Sequence, residues 1–334
     1  MKILIVYNCA KVLKKGLASD LICEQEIEII VPLVADSLRQ RGYEITTLEV
    51  SQNFWVEISA HRNQIDLVLN LAEGFGGCNT NETLVPAILE ALEIPFTGAS
   101  FRNMTFTMDK EKTNLVLSTH GIPIPKHRLF RPGSKFDSIV KLQYPLIVKP
   151  VREEASVGIT CNSVVSNAEA LEKQIEQVFR LYKQPALVEE FIEGREISVG
   201  IIGNGNDIRI FEPLEFTFDD DVNPLERIRS YEYKWGGKKE MMRRARLDIG
   251  VVRQLIDYTR TAYIATDCQD YARMDYRLTK ENKIFLLEVN YNPGIGPNTH
   301  GLNNTLTMMA SFDGFSFESL IEMIILTAKK RYAL

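Results

Sequence analysis

Asp270-Tyr271-Ala272-Arg273-Met274-Asp275-Tyr276-Arg277-Leu278-Thr279-Lys280-Glu281-Asn282-Lys283-Ile284-Phe285-Leu286-Leu287-Glu288-Val289-Asn290 reads as two strands around a tight turn. Asn tolerates the positive φ that such turns require, so Glu281-Asn282 is expected as a two-residue turn with Lys280 paired to Lys283. That register sets Asp275 opposite Glu288 and Arg273 opposite Asn290. Side chains alternate faces with period two, so all four fall on one patch. Close carboxylates repel and call for a cation. The donors Asp275, Glu288 and Asn290 are all oxygen, which suits Mg²⁺ bridging substrate phosphates, with Mn²⁺ as the alternative. Alternation also fits a solvated sheet face with cross-strand ion pairs, and a slip of one residue scatters the cluster.

Working outward, the first hundred residues alternate strand-like and helical runs. Lys2–Tyr7, Tyr43–Val50, Asp66–Asn70 and Ile94–Thr97 read as strands. Ile27, Ile30, Val31, Val34 and Leu38 recur at helical spacing up to Gly42, with Pro32 predicting a kink or a late start. Glu82–Leu92 reads as a second helix. Such alternation implies a parallel sheet covered by helices, with a ligand expected beyond the strand ends, near the polar loop from Leu71 to Asn81. After Gly98 the spacing predicts a helix from about Met108, stopped at Gly121-Ile122-Pro123. Another runs over Asn167–Leu181, followed by strands at Ala186–Phe191, Glu196–Gly203 and Ile208–Phe216. Asp219–Leu247 is charged and aperiodic, which marks a functional or mobile loop. Helices at Asp248–Ala265 and Phe317–Lys330 flank the hairpin.

The composition is that of a globular chain. Of 334 residues, 45% are hydrophobic and 25% charged, and 39 basic against 44 acidic side chains give a net charge of −5. Bulk attraction to nucleic acid or anionic membranes is therefore not expected. Cys9, Cys23, Cys78, Cys161 and Cys268 have no zinc-type spacing, and an odd number fits reduced thiols in a cytoplasmic protein. The apolar start is too short for a signal peptide and reads as a buried strand. No run of about 18 apolar residues occurs, so a membrane span is not expected.

The hairpin continues into Tyr291-Asn292-Pro293-Gly294, and a strand ending Glu-x-Asn-x-x-Pro-Gly resembles the last core motif of the ATP-grasp superfamily, most like its D-alanine–D-alanine ligase branch. The likeness runs through the chain in order. Thr107-Met108-Asp109-Lys110 resembles the segment whose Lys contacts ATP phosphate. Pro145-Leu-Ile-Val-Lys149-Pro150 resembles the strand with the second nucleotide-binding Lys. Arg152-Glu-Glu-Ala-Ser156-Val-Gly158 is similar to the phosphate-covering loop, and Leu187–Glu196 to the adenine hinge. The resemblance implies an α/β ATP-grasp fold in three parts: a substrate domain (1–100), a central subdomain (101–184), and a C-terminal subdomain (185–334) with metal site and lid (219–247).

It further implies an ATP-dependent ligase joining a carboxylate to an amine through an acyl phosphate. Lys110, Lys149, Glu189, Glu190, Phe191, Ile192, Glu196 and Leu287 would hold ATP, with Glu189 on the adenine amino group, Glu196 on the ribose, and Ile147 and Leu287 walling the base. Asp275, Glu288 and Asn290 would hold Mg²⁺. Arg273, the Gly294 backbone and Ser156 would serve the transfer itself. A homodimer with small-molecule substrates is implied too.

The substrate half departs from the D-alanine ligase pattern. Its Glu-Val-Ser becomes Glu24-Gln-Glu26-Ile-Glu28, and the first Ser of its Gly-Ser-Ser loop becomes Ala155. Its His-Gly-x-x-Gly-Glu-Asp-Gly loop becomes Asn70–Glu82, and its Ser-x-Ser becomes Pro297-Asn298-Thr299-His300. Glu73, Asn298 and Lys234 of the basic lid (with Lys238, Lys239, Arg243, Arg244 and Arg246) are the expected substrate contacts. Ligation of another amino acid or small carboxylate, D-alanine ligation proper, and a silent ATP-binding regulator are the readings carried forward. An oxidoreductase is disfavoured because Tyr7–Lys15 lacks G-x-G-x-x-G.

Overall fold

The computed structural model describes residues 1–11, 14–21, 26–134, 142–238, 241–299 and 302–334. Cys23, Glu24, Gln25, Lys239 and His300, named above, lie outside the described residues. The first unit is β1 (Lys2–Tyr7), α1 (Ile27–Gln40), β2 (Glu44–Glu49), α2 (Phe54–His61), β3 (Leu67–Asn70) and α3 (Leu84–Ala91). Its sheet is parallel in the order β2-β1-β3. Alternation along β1 divides the unit into two cores. Ile3 and Ile5 pack with Ile30, Val34 and Leu38 of α1, while Leu4 and Val6 pack with Phe54, Ile58 and Leu89. The helix starts at Ile27 and runs through Pro32, so the late start is not found. The expected strand at Ile94–Thr97 is a single bridge from Phe96 to Val68.

Next come α4 (Phe101–Thr107), capped by Ser100, and α5 (Lys110–Thr119), capped by Asp109. These caps put Lys110 in the first turn of α5. The middle sheet, ordered β4-β7-β5-β6, holds β4 (His127–Phe130), β5 (Leu146–Pro150), β6 (Val164–Val165) and β7 (Ala186–Glu190). Helix α6 (Ala168–Tyr182) covers it with Leu171, Ile175 and Val178.

The third sheet contains β8 (Arg195–Ile202), β9 (Arg209–Ile210), β10 (Leu214–Thr217), β11 (Met241–Arg244), β12 (Tyr271–Leu278) and β13 (Ile284–Asn290), in the order β11-β10-β8-β12-β13 with β9 on β8. Pro213 separates β9 from β10 where one strand was expected. The lid segment is not structureless: it contains α7 (Tyr231–Lys234) and β11, which extends the sheet on β10. Helix α8 (Ile249–Ala265) covers one face; α9 (Thr305–Phe312) and α10 (Phe317–Tyr332) cover the other. The first core also takes Ile321, Ile324 and Ile325 of α10, so it extends beyond residues 1–100.

The hairpin differs from its expected turn in an instructive way. Thr279 accepts from Asn282 N and donates its own N–H to Lys283 O, enclosing three residues, with Asn282 at φ +60°. This turn moves the register by one, pairing Tyr276 with Leu286. A bulge at Leu287 then moves it back, so Asp275 faces Glu288 and Arg273 faces Asn290 as expected.

The units are tied together at Asp270, a fully buried residue at φ +62°. Its carboxylate accepts from Gly98 N at 2.9 Å, Asn204 Nδ2 at 2.8 Å and Arg331 Nη2 at 2.7 Å, and Arg331 also donates to Phe96 O. Removing one partner of such a pair strands a buried charge, at a cost of about 3–5 kcal/mol. Asp270→Ala is therefore expected to lower the urea midpoint markedly, while Lys330→Ala, at the exposed residue next to Arg331, leaves it almost unchanged.

Candidate active site

Two cavities meet at the end of the β12–β13 hairpin. The cleft between the middle and third sheets, ≈ 100 Å³, is lined by Lys110, Ile147, Lys149, Glu189 to Ile192, Glu196, Asp275, Leu287 and Glu288. An outer cavity, ≈ 120 Å³, lies between the hairpin end, the first unit and the lid, with Glu26, Glu73, Glu82, Glu154, Lys234, Tyr291 and Gly294 in its walls. Arg273, Asn290, Arg229, Lys234 and Ala155 line both. The bulge explains one part of this arrangement: two adjacent residues, Leu287 and Glu288, both reach the cleft, which a regular strand forbids.

Arg273 grips Asp275 in a bidentate pair, Nε to Oδ1 and Nη2 to Oδ2, each at 2.9 Å, and its Nη1 donates to Thr305 at 3.0 Å. Ser198 and Asn290 donate to the same carboxylate. Burial opposes its charge, but Arg273 and Ser198 hold the Asp275 carboxyl below its ordinary range. With four donors, Asp275 has few lone pairs left. Glu288 has one oxygen 2.6 Å from Lys110 Nζ, and Glu154 has one at 3.4 Å. Burial works against the Lys110 charge, yet Glu154 and Glu288 raise its pKa above the ordinary lysine range. Burial and Glu288 push the Glu154 carboxyl up to about 8, against the pull of Lys110.

On the opposite wall Lys149 forms an ion pair with the buried Glu189, whose other oxygen accepts from Asn114 Nδ2 at 3.2 Å. Glu189, expected to face an adenine amino group, lines the cleft with Oε1 bonded to Asn114 and Oε2 in the ion pair with Lys149. Glu190 accepts from Gln143 N at 3.0 Å. Glu196 pairs with Arg277 at 3.0 Å, and Arg277 lies over the Phe191 ring.

The lid closes on the phosphate-type loop. Ala155 and Ser156 both adopt positive φ, +55° and +64°. Ser156 Oγ donates to Arg229 O at 2.7 Å and Trp235 Nε1 donates to Ala155 O at 3.1 Å. Ser156 thus engages the lid backbone. Asn298, expected on the substrate side, has its Oδ1 accepting from Asn304 N at 2.6 Å, and Asn303 and Asn304 line the outer cavity. Glu73 and Lys234 do line the outer cavity.

Sequence reasoning missed several residues. Arg277 shares the strand face of Arg273 and Asp275, so its alternation was readable. Glu26 heads α1 and lines the outer cavity; burial raises its carboxyl, with Lys234 and Arg229 opposing. Glu82, which accepts from Tyr291 OH, and Asn114 carried no motif signal. Among the described residues no three His, Cys, Asp or Glu side chains gather as a metal cage.

Comparison with known proteins places the chain. The family model described as "D-ala D-ala ligase C-terminus" matches residues 116–326. A D-alanine–D-alanine ligase of Geobacter sulfurreducens is 30% identical over 89% of this chain and 87% of its own. The uncharacterized protein y4sG of Sinorhizobium fredii is 33% identical over 80% of this chain and 75% of its own. The structure of a Bacillus anthracis D-alanine–D-alanine ligase complexed with ATP superposes with a TM-score of 0.78, at 21% identity, covering 100% of this chain and 99% of that one. That of VanG D-Ala:D-Ser ligase from Enterococcus faecalis gives 0.74 at 21%, covering 98% and 99%. At such identities the structures speak to fold alone.

The site geometry also predicts a pH dependence. Folded Glu154 keeps its proton up to about 8, whereas the unfolded chain releases it in the ordinary carboxylate range. Between those values the folded state binds more protons, so stability falls as pH rises. Melting curves from about pH 5 to about pH 8 are expected to show Glu154→Gln gaining steadily on the wild type.

Proposed function

This chain belongs to the D-alanine–D-alanine ligase family, and on that premise we propose how its residues divide the work. It is an ATP-grasp ligase that couples ATP cleavage to amide formation between a carboxylate and an amine, through an acyl phosphate, with release of ADP and phosphate. The observation that carries our assignment is that Arg273 and Asn290 face both cavities. A phosphoryl donor in the cleft and a carboxylate in the outer cavity would meet at that guanidinium.

In this assignment the cleft holds ATP. Ile147 and Leu287 wall the base, Glu189 to Ile192 supply the hinge, and Glu196 takes the ribose. Lys110 and Lys149 carry the triphosphate, each held until then by a carboxylate partner, Glu288 and Glu189. Mg²⁺ fits the donor chemistry, because Glu288 and Asn290 offer oxygen and two carboxylates crowd one ammonium; Asp275 joins only as Arg273 loosens its grip. The ion would neutralise phosphate charge. Asp275 otherwise aims Arg273, whose charge meets the developing negative charge on the transferred group together with the Gly294 N–H. Ser156 and Trp235 tie loop to lid and so exclude water from the acyl phosphate. Glu26 and Glu73 stand where substrate ammonium groups would bind. The family likeness supports a homodimer in the cytoplasm; among the described residues no helix is long and apolar enough to cross a membrane.

We infer amino-acid substrates, with D-alanine first among those to test because relatives are named for it. Phosphate release from ATP and Mg²⁺ with single and paired L- and D-amino acids is the experiment. Turnover requiring a substrate and lost by about 10²–10³ in Arg273→Ala and Glu288→Gln is expected. Unimpaired turnover in both variants would overturn the site assignment, and tight ATP binding without turnover on any substrate would favour a regulator.

A further inference from the structure

The feature that singles out Arg273, a guanidinium in the walls of both cavities, is shared by a second residue. Arg229, on the lid, lines the cleft and the outer cavity alike. Its charge acts on Asp275 from one side and on Glu26 from the other, which sets it between the two walls. Lys234 also lines both, but its ammonium lies over the Trp235 ring, 5.0 Å from the centroid. Arg229 is built as a fixed group. The lid stretch that carries it is tied down at alternate residues: Arg227 O accepts from Arg277 Nη2 at 2.8 Å, Arg229 O accepts from Ser156 Oγ at 2.7 Å, and Tyr231 N donates to Ile159 O at 2.8 Å. Arg229 N donates to Glu196 Oε2 at 3.4 Å, and its neighbours Ile228 and Ser230 are buried. The guanidinium carbon stands 4.2 Å from the centroid of the Phe216 ring of β10, a stack that steadies a long side chain. Glu196 and Ser156, given above to the ribose and to the transfer, thus hold the Arg229 backbone from both sides.

Phosphoryl transfer has a use for a second guanidinium. The donor carboxylate oxygen attacks the γ-phosphorus while the bond from that phosphorus to the ADP oxygen breaks; the electron pair leaves with ADP, and no proton moves. Charge spreads over the three equatorial oxygens of the moving group. Arg273 meets them with a fork already engaged, since its Nε and Nη2 grip Asp275 and its Nη1 donates to Thr305. We propose that Arg229 is a further catalytic residue, a lid-borne guanidinium that binds the transferring phosphoryl group from the lid while Arg273 binds it from the hairpin. Charge neutralisation of the transfer is then divided between two elements, and it is complete only when the lid lies on the phosphate loop. The proposal rests on the ligase reading above.

Hydroxylamine, which captures an acyl phosphate without an amino-acid acceptor, isolates this step. Wild type, Arg229→Met and Arg229→Lys are compared with ATP, Mg²⁺ and a fixed amino-acid donor (D-alanine, L-alanine and glycine in turn), with calorimetry of ATP binding in parallel. Arg229→Met is expected to lower kcat for hydroxamate formation about 10²–10³-fold while ATP affinity stays within about threefold of wild type, as for an interaction made only in the transition state. Arg229→Lys is expected to recover part of the loss, because it returns the charge without the fork. An unchanged kcat in Arg229→Met would overturn the proposal. So would a fall in ATP affinity equal to the fall in rate, which would make Arg229 a brace of the nucleotide site. A raised KM for the donor at unchanged kcat would overturn it too, by making Arg229 a holder of the substrate carboxylate. Absence of hydroxamate in the wild type with every donor would fail the ligase reading itself and the proposal with it, whereas an active wild type beside an unimpaired variant fails the proposal alone. If Arg229→Met does not fold, Arg229→Gln serves the same comparison.

Discussion

The chemistry of this chain depends on a single extra residue in β13. A three-residue turn closes the hairpin and displaces its pairing, which, continued along regular strands, would turn Glu288 and Asn290 away from Asp275 and Arg273. The bulge at Leu287 cancels that displacement before the site is reached. Because it is an insertion, it also lets an apolar and an acidic neighbour share the cleft, Leu287 as a wall and Glu288 as a charge. Base packing and phosphate chemistry can thus be served by consecutive residues of one strand.

The second constraint is electrostatic. Every cation that the family likeness assigns to phosphate or acyl chemistry is already partnered by a carboxylate: Lys110 by Glu288 and Glu154, Lys149 by Glu189, Arg273 by Asp275. Burying such charges alone would cost several kcal/mol each, so the pairing is what allows them to stand in a protein interior. It also makes each cation exchangeable. An anion entering the cleft competes with a carboxylate, and a carboxylate released from lysine becomes available to a metal ion or an ammonium group. Ligand binding here is a rearrangement of ion pairs.

Legibility in the sequence followed the same division. Buried strands and amphipathic helices were readable because their periodicity reflects packing: β1, α1, α6, α8 and the hairpin lie where the pattern put them, and the ATP-grasp family was evident from ordered motifs. Short helices without periodicity were not. Phe54–His61 exposes Trp55 and Val56, and Phe101–Thr107 is only seven residues long. The facing of Asp275 and Glu288 was read correctly through two compensating deviations, which alternation cannot distinguish from none. The bond from Asn304 N to the Asn298 Oδ1 was not legible, because a loop side chain can serve backbone as readily as ligand and the sequence does not say which. Glu154 was passed over because a motif match directs attention to conforming residues.

The last point bears on how specificity is built into the fold. The cleft and its lysines belong to segments that match the family pattern, while the outer cavity mixes matching segments, such as Tyr291 to Gly294, with ones that depart from it at Glu26 and Glu73. Acyl-phosphate formation makes the same demands whatever amine follows, so the cleft side is the one that has to conform. The junction residues Arg273 and Asn290 must serve both sides, and they are held from behind by Asp275 and Thr305. A change of acceptor can therefore proceed through the loop and the lid without disturbing the hairpin that transfers the phosphoryl group.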